Sequence, residues 1–101
     1  MKKTFSLTSS VRKPDRQVEF VKHEINKYIA RERRKPCPDG VDFWDFDCRC
    51  GLDAASAATV HVSEIGKQID KTAAMNAVDV YVEILAKPAT RNKKPKIRDE
   101  F

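Results

Sequence analysis

At 101 residues the chain has room for one domain, and 41% apolar against 35% charged residues makes it globular at the polar end of the range. It holds no apolar run of about 18 residues, which excludes a membrane-spanning helix, and no apolar stretch follows Met1-Lys2-Lys3, so the expected location is the cytoplasm. The net charge of +5 is segregated: +7 over residues 1–35, −6 over 36–86 and +4 over 87–101, a layout that favours an anionic partner for the two ends or pairing of ends with middles.

Residues 3–8 alternate polar and apolar, with Phe5 and Leu7 on one side, and predict a short strand. Pro14 and Asp15 suit a first helical turn, and Val18, Val21, Ile25, Tyr28 and Ile29 recur at helical spacing. The helix is expected from about Pro14 to about Arg34, ending before Pro36 with a cluster of cations in its last turn. A turn at Pro36–Gly40 leads into Val41–Cys50, where Trp44, Phe46, Cys48 and Cys50 alternate with Phe43, Asp45, Asp47 and Arg49. Residues 51–56 read as a loop. Residues 57–62 suit a strand or the start of the next helix, with the strand preferred. Ser63 is the expected cap of a second helix ending near Asn76. Asp79–Ala86 predicts the last strand, with Val80, Val82, Ile84 and Ala86 inward and Tyr81, Glu83 and Leu85 outward.

The resulting order is βαββαβ over residues 1–87: an α+β, ferredoxin-like two-layer sandwich with two helices on one face of an antiparallel sheet. A helical 57–62 would make it a three-stranded βαβαβ. Residues 88–101 read as a basic tail, expected to be disordered.

The opening Met-Lys-Lys-Thr-Phe5, the helix end Arg-Glu-Arg-Arg-Lys35, the run Gly40-Val-Asp-Phe-Trp-Asp-Phe-Asp-Cys48 and Val82-Glu-Ile-Leu-Ala-Lys-Pro88 together resemble an uncharacterised bacterial family of small proteins, a domain of unknown function. The resemblance covers most of residues 1–88 and implies no activity, cofactor or site.

No catalytic signature stands out, and the reading is of a non-enzymatic module without cofactor or metal. Opposite the apolar stripe of the first helix lies a row of Arg16, Phe20, His23, Lys27, Arg31 and Arg34, free of acidic residues. Cations that displace counterions, beside an aromatic that can stack, suit an RNA or DNA backbone. Lys93, Lys94 and Lys96 of the tail extend that footprint. The alternative is a protein-interaction or homo-oligomerising surface on the open sheet face, made of Phe43, Asp45, Tyr81, Glu83 and Leu85. An RNA-recognition motif would stack bases on its two central strands, the first and third; here those offer Thr4, Ser6, Thr59 and His61, while Phe43 and Tyr81 fall on expected outer strands among carboxylates. A metal on Asp45, Asp47 and Glu83, and zinc on Cys37, Cys48, Cys50 and His61, are disfavoured because no ligand spacing fixes either set. An odd cysteine count argues against a disulfide framework.

Overall fold

The computed structural model describes residues 1–90, which form β1 (Lys2–Ser6), α1 (Pro14–Arg33), β2 (Phe43–Gly51), β3 (Ala58–Val60), a single 3-10 turn (Val62–Glu64), α2 (Ile65–Ala74) and β4 (Asp79–Ala89). This is an α+β sandwich: one four-stranded antiparallel sheet with both helices packed on it. Residues 57–62 resolve as a three-residue strand followed by the 3-10 turn. His61 caps the 3-10 turn, its Nδ1 accepting from the Ser63 N–H at 3.1 Å, while Glu64, rather than Ser63, precedes the second helix and makes no side-chain cap bond. The second helix starts at Ile65 because that turn takes up the preceding residues. It ends in a Schellman arrangement: Asn76 adopts φ 61°, its N–H donates to the Ala73 carbonyl at 2.9 Å, and the Ala77 N–H reaches the Thr72 carbonyl at 3.4 Å.

The strand order is β1-β4-β2-β3, so β2 and β4 are the central strands. That corrects the expectation that the first and third would be central. The outer pairings β1–β4 and β2–β3 are those of a ferredoxin-like sheet; the middle is made by the two longest strands, 9 and 11 residues. Long strands in the middle give the ladder the most pairs, nine between β2 and β4.

The core is the helix-facing side of that sheet: Val80, Val82 and Ile84 of β4 and Phe46, Cys48 and Cys50 of β2 against Val21, Ile25, Ile29, Ile65 and Ile69. Ile69, Val80, Val82 and Ile84 are wholly inaccessible. All three cysteines are free thiols, and burial holds those of Cys48 and Cys50 above the ordinary range, Cys48 at about 11.

β4 runs three residues beyond its expected end, because Lys87, Pro88 and Ala89 pair with Asp45, Trp44 and Phe43. β1 stops pairing with β4 at Lys2, with Met1 and Ile84 exchanging backbone bonds beyond it, and β3 pairs with β2 only from Cys48 onward. Residues 43–47 and 85–89 are therefore a two-stranded ribbon extending past the four-stranded part. This explains why Ala86, on the core side, is exposed rather than buried. The Met1–Ile84 pair also sets the alternation: the amides of even-numbered β4 residues point to the β1 edge. Pro88 falls on that edge, where no N–H is required. On the opposite edge, the outward amide of Phe46 is taken by the side chain of Asp45 at 2.8 Å. Both devices blunt an edge that would otherwise offer itself for pairing.

Candidate nucleic-acid interface

The outer face of α1 is set by its anchoring at both ends. At the start, Gln17 is buried and donates through Nε2 to the Ser6 carbonyl at 2.8 Å, while its Oε1 accepts from Arg12 Nη1 at 3.2 Å. At the end, Trp44 Nε1 donates to the Lys35 carbonyl at 2.9 Å, which ties the segment after the helix to the ribbon. Trp44 is thus half-buried, packed against the edge of the core while its indole N–H clamps the end of the helix. With both ends held, the row Arg16, Phe20, His23, Lys27, Arg31 and Arg34 is fixed on the solvent side, and all six are exposed.

The cations of that row differ in their partners. Arg16, Arg31 and Arg34 have no carboxylate partner among the described residues, and Lys27 has a contact to Glu24 at 3.5 Å between two well-exposed groups. Such a pair contributes little. Arg31 lies over the ring of Tyr28, 5.5 Å from its centroid. Sequence reasoning missed Arg12, whose guanidinium covers the Phe20 ring at 3.9 Å from the β1–α1 connection. It belongs to the same surface: Arg12, Lys13, Arg16, Phe20 and His23, together with Asp15 and Glu19, line one shallow depression at the start of α1. Arg12 precedes the helix, so its position follows from the Gln17 staple and not from helical periodicity. Lys93, Lys94 and Lys96 lie outside the described residues.

The open face of the sheet behaves differently. Glu83 is 9% exposed; its Oε1 accepts from Tyr81 Oη at 2.9 Å and lies 3.4 Å from Arg49 Nη1. Arg49 also donates through Nη2 to the Ala54 and Ala57 carbonyls at 3.1 and 3.0 Å, which folds the 52–57 loop against the end of β2. Gly51 permits that approach, since a Cβ there would meet the Ala57 Cα at 2.7 Å. Asp47 pairs with Lys87 at 2.8 Å, and that bond raises the lysine above its ordinary pKa. The bond that Tyr81 donates to Glu83 likewise raises the tyrosine above its ordinary pKa. Among the described residues no group of three metal-ligating side chains comes together, so Asp45, Asp47 and Glu83 do not form a cluster. Phe43 and Leu85 stay 37% and 42% exposed.

The placement of the aromatics changes the RNA-recognition comparison. Phe43 and Tyr81 do lie on central strands. Tyr81 pairs with Gly51, however, and Phe43 is eight residues along β2 from that point, roughly 27 Å at strand rise. Two rings that far apart cannot take neighbouring bases, so the platform still fails, now for spacing rather than for strand position.

Fold and surface together define a small two-layer α+β protein whose outer helix face carries three arginines without a carboxylate partner among the described residues, and whose open sheet face is paired within itself. The chain belongs to a family of unknown function, DUF6172, whose sequence profile matches residues 1–95. No curated protein and no solved structure matches it. Among the described residues no helix is long and apolar enough to cross a membrane.

Proposed function

We propose that the protein is a non-enzymatic binding module for RNA or DNA that uses the outer face of α1, extended by Arg12 and by the lysines of the C-terminal segment. The observation that carries this reading is the set of guanidinium groups at Arg16, Arg31 and Arg34 with no carboxylate partner among the described residues, beside the exposed ring of Phe20. Free guanidinium groups cost no broken ion pair on meeting phosphate, and they release counterions from the strand. Arg12 covers one face of the Phe20 ring, which stays 38% exposed, so a base would stack on the guanidinium or on the ring's remaining surface.

Fluorescence anisotropy with a labelled single-stranded RNA tests this. Binding is expected at low salt and should weaken on the order of a hundredfold between 50 and 200 mM salt for about six phosphate contacts. Undetectable binding at low salt sinks the reading.

A second reading has its own observation: Phe43 and Leu85 are exposed on the open face of the two central strands. Such residues suit self-association. Sedimentation decides it: a monomer at all concentrations excludes a homo-oligomer, and Phe43→Ser should dissociate one that exists.

A further inference from the structure

Between α1 and the start of α2 lies a groove of about 570 Å³, on the flank of the helix rather than on its outer face. Its accessible floor is formed by Ala30, Val62 and Gly66, with the buried core residues Ile25, Ile29, Ile65 and Ile69 beneath them. Its rim carries Lys22, Asn26, Arg33, His61 and Ser63, and no Asp or Glu lines it. A cavity of this size with an apolar floor and a few convergent polar groups is the usual form of a small-molecule site.

The two ends of the rim are unlike. Lys22 is committed to Asp70 and Glu19, both at 3.1 Å, and the hydrogen bond it donates to Asp70 raises its pKa above the ordinary value. Its charge is already balanced. At the other end Arg33 has no carboxylate partner among the described residues; its guanidinium rests over the Phe46 ring, 5.4 Å from the centroid. His61 stands beside the same end. Its Nδ1 accepts from the Ser63 N–H, so in the neutral ring the proton is on Nε2, which is left as a donor. The neighbouring depression, which Arg33 and His61 also line, contains Asp42 and Asp45. An anion is therefore favoured on the helical side of Arg33 and opposed on the ribbon side.

From these features we infer that the groove binds a nucleotide unit, with its phosphate at Arg33 and His61 Nε2 and its base against Ala30, Val62 and Gly66. Guanidinium and imidazole suit this ligand twice over, since each donates to phosphate and each presents a flat face to a base. Asn26, on the rim one helical turn from Ile29 and Ala30, supplies amide groups for a base edge. The ligand is either a free nucleoside monophosphate or one residue of a bound strand. The site goes beyond the outer row of α1 and does not require it.

The test is a titration of the full-length 15N-labelled chain with adenosine monophosphate, inorganic phosphate and adenosine, followed by amide shifts. Saturable shifts are expected at Asn26, Ala30 and residues 61–66, with the nucleotide binding about tenfold or more tightly than phosphate or adenosine alone. Arg33→Ala should weaken nucleotide binding about tenfold or more, with an unchanged melting temperature because the side chain is exposed. Arg31→Glu, on the outer row, should leave it unaltered. A short oligoribonucleotide separates the two sources: if it moves the same amides and also loses affinity in Arg33→Ala, the ligand is a strand residue. If the nucleotide alone moves them, it is free nucleotide. Three results overturn the inference: no saturable shift at about 10 mM nucleotide (a Kd beyond useful affinity), shifts confined to the outer row, or phosphate binding as tightly as the nucleotide. Loss of RNA binding in Arg31→Glu with intact nucleotide binding tells against neither, so the two readings fail separately.

Discussion

The outer face of α1 and the open face of the sheet both carry charge, yet they dispose of it in opposite ways. On the open face of the sheet, register supplies cationic partners for two of the three carboxylates, and the third bonds a backbone amide. Glu83 lies across from Arg49, Asp47 is diagonal to Lys87, and Asp45 turns back to the Phe46 amide. On the helix, neighbours three and four residues along decide the matter. Glu24 reaches Lys27 and Glu32 reaches Lys35; Glu19, three residues beyond Arg16, turns to Lys22 instead, and no acid stands three or four residues from Arg31 or Arg34. A sheet brings distant segments side by side and so can neutralise charge across the whole chain. A helix face depends on its own local sequence. The cations left over on α1 are therefore a property of that sequence, and the described part of the fold leaves them uncompensated.

The largest expected effect breaks this comparison directly. Reversing two outer-row cations, Arg16→Glu with Arg31→Glu, should lower affinity for single-stranded RNA about a hundredfold at low salt and flatten the salt dependence by one to two units of slope. Asp47→Asn, on the sheet face, should change affinity less than about twofold, since that carboxylate is exposed and distant from the helix face. Equal effects from both would mean that net charge, not the helix surface, governs binding. Anisotropy titrations at several salt concentrations read both quantities.

Next in size is a pH effect on the core side of the same strand. Burial, then Asp47, Asp45 and Cys50, raise the Cys48 thiol from 9.0 to about 11. Because the folded-state value is the higher one, the stabilising contribution is complete below pH 9 and is lost as pH climbs toward 11. Between pH 8 and pH 10.5 the native protein should lose roughly 2 kcal/mol that a Cys48→Ala variant does not lose. Urea titrations at the two pH values measure the difference. A parallel decline in both proteins would show that the thiol is not responsible. The same burial predicts that Cys37 reacts with a thiol reagent at pH 8 in the native state while Cys48 and Cys50 do not.

Removing one member of the sheet network comes third. Glu83→Ala leaves Arg49 and Tyr81 without their shared acceptor. Arg49 is 39% exposed at its side chain, which lets water replace part of the loss, so a cost of about 1–2 kcal/mol in unfolding free energy is expected, at the low end for a broken buried pair. RNA affinity should stay as it was. A loss above about 3 kcal/mol would show that the 52–57 loop is released together with the ion pair.

Most of the fold was legible because its signals are periodic. The stripe Val18, Val21, Ile25 and Ile29 placed α1 within a residue of its observed end, and the alternation of Phe46, Cys48 and Cys50 identified the buried side of β2. Strand order was not legible. Alternation tells which face of a strand is buried and nothing about which strand lies beside it, so the central positions of β2 and β4 emerged only from the pairing. The extension of β4 was hidden for a related reason: Lys87 and Pro88 read as the start of a tail, and both are tolerated in a ribbon exposed on its edges. The outer row of α1 was legible from helical periodicity alone. Arg12, the Gln17 staple and the groove at Arg33 and His61 were not, because each depends on segments far apart in the chain.

The smallest effect is also the sharpest test of why the two faces differ. Lys87 and Asp47 are 2.8 Å apart, with side chains 47% and 64% exposed. If register alone neutralises the sheet face, this pair organises charge without holding the fold together. A double-mutant cycle of Asp47→Asn and Lys87→Gln, read by urea unfolding, should then give a coupling of no more than about 0.5 kcal/mol. Each single variant should expose one unbalanced charge on the sheet. Lys87→Gln leaves a net negative charge there and should leave RNA binding unchanged or slightly weaker; Asp47→Asn leaves a free cation and should strengthen it slightly. Opposite small shifts with negligible coupling would confirm that the sheet face is silent because its charges cancel. A coupling above about 1 kcal/mol would instead make the pair a structural clasp for the β2–β4 ribbon, and the contrast with α1 would then concern stability as much as charge.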